Sequence, residues 1–110
     1  MMEGHVEVPL AGGHVTLAPT LGAAMALNRR HENFGTLLAK LEAYDLAAAA
    51  DVVHLGLGRG DHERGTTEEQ VFAAGLIELT PLLLRFVIML ANGGKPVKPE
   101  EEKAAGPFGA

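Results

Sequence analysis

The sequence predicts an α+β fold that is mostly α: a short N-terminal β-hairpin, a bundle of about five short helices, and a disordered C-terminal tail. Three observations carry this. Period-two alternation of apolar residues is confined to residues 5–17. From Thr20 onward apolar residues recur at helical spacing, and they do so until Gly93. After Gly94 the composition turns to Pro, Glu and small residues. A length of 110 residues allows one domain with a single small core. The organisation expected is therefore a hairpin-plus-helices domain over residues 1–94 and a Pro/Glu-rich tail over 95–110.

The hairpin comes first. Val6 and Val8 share one face of the first strand with Glu7 opposite, and Val15 and Leu17 flank Thr16 in the second. Gly12-Gly13 is expected to supply the positive φ angles of a tight turn. Pro9 cannot donate to a ladder, so the first strand reads as an edge strand. Such a hairpin is marginal alone and must pack on the helices.

The first helix is expected over residues 20–31, entered through Pro19-Thr20, with Leu21, Ala24, Met25 and Asn28 on one face and Leu27 widening it. Asn33 caps the second helix, whose apolar face is Phe34, Leu37, Leu38 and Leu41. Asp45 caps the third, which runs to about Leu57 with Leu46, Ala49, Ala50, Val53 and Leu57 on a shared face. Gly56, Gly58 and Gly60 end it, and residues 59–65 read as a mobile polar loop. Thr66 with Glu69, or Thr67 with Gln70, fits a capping box for the fourth helix, and Gly75 stops it. The fifth helix is expected over residues 78–91, with Pro81 in its first turn and Leu82, Leu83, Phe86, Val87 and Leu90 facing the core.

Composition narrows the function classes. The net charge is −5 and no basic run occurs, which argues against nucleic acid as a partner. There is no cysteine, so disulfides, thiol catalysis and thiolate metal sites are excluded together. Serine is also absent, and the six threonines are explained by strand, caps and helices. Glu42 with Asp45, or Asp61 with Glu63, could pair as acid and base, but nothing sets either pair in an apolar cleft.

Five histidines raise the question of a metal, and His5 and His14 could face each other across the hairpin. None shows the spacing that sets two ligands on one helical face, so no cofactor or metal is expected. Leu55 to Gly60 resembles a phosphate loop only superficially, because its glycines follow a helix instead of a strand. Arg29-Arg30 reads as a complement to the dipole at a helix C-terminus. The start of the chain lacks the pattern of a signal peptide. The apolar segment over residues 76–91 is broken by Glu78, Thr80 and Arg85 and falls short of the roughly 20 residues that span a bilayer. A soluble, cytoplasmic protein without a membrane partner is expected.

The ordered motifs resemble a family, the gene transfer agent family proteins and phage tail assembly chaperones encoded after a major tail protein. The likeness begins with Val6-Glu7-Val8-Pro9-Leu10 and Gly13-His14-Val15-Thr16-Leu17, followed by Ala18-Pro19-Thr20-Leu21-Gly22-Ala23-Ala24. It continues through the helical pair over residues 28–41 and Val53-His54-Leu55-Gly56-Leu57, then Thr67-Glu68-Glu69 and a terminal helix ending at Gly94. Order and spacing carry the likeness across residues 5–94. It departs over residues 28–32, where the family often has an acidic residue and this chain has Asn28-Arg29-Arg30-His31-Glu32.

The resemblance implies a non-enzymatic chaperone in the bacterial host cell. Its client would be the tape-measure protein, with the major tail protein and a second copy of the chain as further partners. The alternative it leaves is a structural tube or completion component of the tail. The client surface expected is Leu37 and Leu41 of the second helix with Leu82, Phe86 and Leu90 of the last. The competing reading is that all five are core.

Overall fold

The structure, a computed structural model, describes residues 4–97. Strands β1 (Val6–Leu10) and β2 (Gly13–Leu17) form an antiparallel hairpin. Helices α1 (Leu21–Arg30), α2 (Phe34–Glu42) and α3 (Leu46–Leu57) follow, then a 3-10 turn (Asp61–Glu63) that leads into α4 (Arg64–Ala74) and α5 (Leu76–Ala91). This is the α+β, mostly helical architecture expected. The disordered tail expected over residues 95–110 lies outside the described residues from residue 98 onward.

In the hairpin Val8 stands opposite Val15 and Glu7 opposite Thr16. Val6, Val8, Leu10 and Leu17 are buried, and β1 lies on α4 and α5 while β2 lies on α3. The turn sits one residue earlier than expected. Leu10 pairs with Gly13, so Ala11 (φ 55°) and Gly12 (φ 82°) take the two positive-φ positions. The buried alternation of β1 sets this register, and Ala11 accepts a backbone region its Cβ disfavours. His14 stands opposite Pro9, not His5.

The helix starts follow their caps. Thr20, Asn33 and Asp45 accept hydrogen bonds from the backbone N–H of Ala23, Thr36 and Ala48. Gly58 (φ 72°) closes α3 in the left-handed region, and Gly75 (φ 95°) separates α4 from α5. Gly56 lies inside α3, where it lets Leu17 approach: a Cβ there would stand 3.1 Å from Leu17 Cβ and Cδ2. Its carbonyl accepts from Ala18 N at 2.9 Å, tying α3 to the end of β2.

Four expectations are corrected. Helix α1 turns Ala23 and Leu27 inward, and Leu21 and Met25 are exposed. Buried His31 at the C-cap continues the row of Ala23 and Leu27 at four-residue spacing, and its polar partner on α3 sets the rotation. Residues 59–65 are not an irregular loop, since 61–63 form the 3-10 turn and α4 begins at Arg64. The capping box is absent, because Thr67 is buried within α4 and its hydroxyl donates back to the Glu63 carbonyl at 3.2 Å. Pro81 falls in the second turn of α5, which starts at Leu76. Ile77 and Pro81 are both exposed, so the missing N–H lies on the solvent side of the helix.

Helix α3 is the hub. It packs on α1, α2, α4, α5 and β2, and Ala48 through His54 are all buried. The core joins Val6, Val8, Leu10 and Leu17 to Leu27, Leu37, Leu41, Val52, Val53, Val71, Leu79, Leu83 and Phe86. Each such side chain contributes about 1.5–3 kcal/mol on burial.

Candidate functional site

Of the five residues expected to form a client surface, four are core residues. Leu37, Leu41, Phe86 and Leu90 are buried, and Leu82 is half-buried and packed against them. Four of them lie in the packing between helices α2 and α5, and Leu82 alone keeps part of its surface open.

A buried polar seam beside them went unread in the sequence. Asp51 on α3 lies within the apolar packing, and three cationic or ring donors converge on its carboxylate. Arg30 Nη1 donates to Oδ1 at 3.1 Å, Arg64 Nη1 donates to the same oxygen, and His31 Nε2 donates to Oδ2 at 2.8 Å. On the other side of the ring Lys40 Nζ donates to His31 Nδ1 at 3.1 Å, so the ring proton is assigned to Nε2. Arg64 also donates through Nε to Glu68 at 2.9 Å.

Burial alone would push the Asp51 carboxyl up. The hydrogen bonds from Arg64 and His31 and the charges of Arg64 and Arg30 outweigh it and hold the group below the usual carboxylate range. For Arg64, desolvation would lower the guanidinium, but its bonds to Asp51 and Glu68 raise it.

One turn along α3, His54 Nδ1 donates to Thr67 Oγ1 at 3.0 Å, since that hydroxyl already donates to Glu63. Arg59 Nη1 donates to Thr67 Oγ1 at 2.9 Å and to Gln70 Oε1 at 2.7 Å. Together the two clusters join α1, α2, α3 and α4. No buried side-chain nitrogen or oxygen among the described residues lacks a partner. The His31–Asp51 pair has the form of a histidine oriented by a carboxylate. Both ring nitrogens are engaged, however, and the sequence offers no serine or cysteine to activate. The seam fixes helix positions.

No group of three or more His, Asp or Glu side chains among the described residues is placed to hold a metal ion. His62 is exposed and lies 3.9 Å from its neighbour Glu63.

Leu21 and Phe72 are exposed singly, whereas the outer face of α5 groups apolar residues that can act on another molecule. Ile77, Pro81, Leu84 and Ile88 follow i, i+4, i+7 and i+11, a straight row along the helix. Ile77 is 75% and Ile88 41% exposed. Beside the row lies an open groove of about 500 Å³. Pro81, Leu84, Arg85 and Ile88 line it on the helix, and Pro96 and Val97 line the other side. The chain reverses after α5 through Gly93 (φ 75°) and Gly94 (φ 80°), and Asn92 Nδ2 donates to the Lys95 carbonyl at 3.1 Å. Lys95 to Val97, expected to belong to the tail, thus begin by running back along α5. Sequence spacing assigned α5 one core face. Its length and its apolar residues at 77, 84 and 88 signalled a second.

No single helix among the described residues is long and apolar enough to cross a membrane. No family model, curated protein or solved structure matches the chain.

Proposed function

We propose that this protein is a non-enzymatic assembly chaperone of a phage or gene transfer agent tail, and that it holds the tape-measure protein in soluble form while the tail is built. The observation that carries the reading is the apolar row Ile77, Pro81, Leu84 and Ile88, of which only Leu84 packs against the core. A row at this spacing, beside a groove, suits the apolar face of a partner helix. The resemblance over residues 5–94 supplies the client, a long helical chain prone to aggregate. The net charge of −5 favours solubility of the complex.

Co-expression with a tape-measure protein tests the reading. A soluble complex is expected with the native chain, and none with Ile77→Glu, at the most exposed position of the row. A client that is equally soluble alone and does not co-purify overturns it. The alternative, a structural tail component, is favoured by the two-stranded sheet, whose two outer edges have no further strand among the described residues. Mass spectrometry of purified particles separates the two, because a chaperone is absent from them and a structural component abundant.

A further inference from the structure

We propose that two copies of this chain associate through the outer face of α5, with the two helices antiparallel about a two-fold axis. Three observations point to a second copy over other occupants. The first is spacing. Ile77, Pro81, Leu84 and Ile88 are separated by steps of four, three and four residues, the interval at which one helix presents a seam to another. In an antiparallel pair centred on this row, Ile77 meets the partner's Ile88, and Pro81 meets the partner's Leu84.

The second is shape. Ile77, 75% exposed, projects from the start of α5. The groove lies towards the other end, between Leu84 and Ile88 on the helix and Pro96 and Val97 opposite. Antiparallel pairing brings the Ile77 side chain of each copy to the groove of the other. A patch that fits itself in this way is what a two-fold interface requires.

The third is charge. Helix α5 carries one acid and one base, Glu78 and Arg85, both exposed and on the same flank of the row. They lie seven residues apart, about 10 Å along the axis, too far to meet each other. Neither has an ion-pair partner among the described residues. Antiparallel pairing sets this flank of one helix against the same flank of the other, so Glu78 faces the partner's Arg85 twice over. Parallel pairing would set it against the opposite flank, Thr80 and Val87, which are buried in the chain's own core. The two charges therefore select both the occupant and its direction.

The strip is only one helix wide and about 24 Å long over its 16 residues. That is less than the roughly 1,600 Å² of a standard interface, so the dimer is weak and exchanges freely. A client of the chaperone reading would compete for the same row, but the proposal does not depend on that reading and its test needs no client.

Sedimentation of the full chain should show a mass rising from 11.5 kDa towards twice that value between micromolar and millimolar concentration. Glu78→Arg and Arg85→Glu should each weaken association by about tenfold, because each turns two attractions into two repulsions. Mixing the two single variants should restore it, since each offers the charges that the other lacks. So should the exchange of both in one chain, Glu78→Arg/Arg85→Glu. Both side chains are exposed, and an unchanged circular dichroism spectrum shows that each variant keeps the fold.

A chain that stays monomeric throughout overturns the proposal. So do single variants that associate like the native chain, or a double exchange that stays as weak as the single ones. A dimer without a tape-measure complex leaves the pairing standing and removes the chaperone reading. A complex formed by a chain that is monomeric on its own does the reverse.

Discussion

Replacing Asp51 by alanine should be among the most destabilising single changes at a polar position. The carboxylate is held by Arg30, Arg64 and His31, and removing it leaves three donors without their shared acceptor. Breaking a fully buried pair from one side costs about 3–5 kcal/mol. The figure here is smaller, because the side chains of Arg30 and Arg64 are 47% and 27% exposed and can turn to water. His31 cannot, since it is buried between α1 and α3, and a hydrogen bond to a charged group contributes about 1.5–3 kcal/mol. A cost of about 2–3 kcal/mol follows, equivalent to a fall in Tm of roughly 10–15 °C for a domain of this size.

The pH dependence has a definite sign. The folded-state pKa of Asp51 is below its unfolded value, so its contribution is complete above the unfolded pKa of about 3.9 and is lost as pH falls through the folded one. Urea melts between pH 3 and pH 7 check both points. The native chain should lose stability on the acid side more steeply than Asp51→Ala. Arg30→Ala, which removes only the most exposed donor, should cost less than about 1 kcal/mol. An Asp51→Ala variant within about 0.5 kcal/mol of the native chain, the ordinary scatter of surface substitutions, would refute the claim that the seam orders the helices.

Three further outcomes follow from the packing. Leu27→Ala should cost about 2–5 kcal/mol and Met25→Ala less than about 0.5, and the reverse order in thermal melts would mean α1 is rotated the other way. Gly58→Ala places a Cβ in the left-handed cap of α3 and should cost about 1 kcal/mol by urea titration. Gly56→Ala should also destabilise, by about 1 kcal/mol, because the overpacking against Leu17 exceeds the gain in helix propensity; a stabilised variant would show that β2 can move away from α3.

What could be read from the sequence was local. The caps at Thr20, Asn33 and Asp45, the stops at Gly58 and Gly75 and the alternation of Val6 and Val8 each depend on residues within a few positions, and each stands in the structure. What could not be read depends on distant partners. Asp51 meets Arg64 across 13 residues and His31 across 20, so no window of sequence contains the seam. One signal did exist: Asp51 and His54 are a polar pair at i, i+3 inside an Ala- and Val-rich helix too apolar to leave either in water. The same long-range bond explains α1, where a pattern of apolar residues alone favours Leu21 and Met25 over a face ending in His31. Thr66 and Thr67 misled in a similar way, since a capping box and a back-bonded buried threonine share the same letters.

The alanine run of α3 carries a constraint that its composition hides. Ala48, Ala49 and Ala50 are each 1% exposed or less, although they point to different sides of the helix. They make α3 a thin rod, and its thinness lets α1, α2, α4, α5 and β2 all reach it. Alanine is there as a spacer of minimum width as much as a helix former. A library of substitutions at 48–50 should therefore return only glycine and serine beside the native residue, while the fold tolerates wide replacement of the bulkier but exposed Ile77 on the outer face of α5.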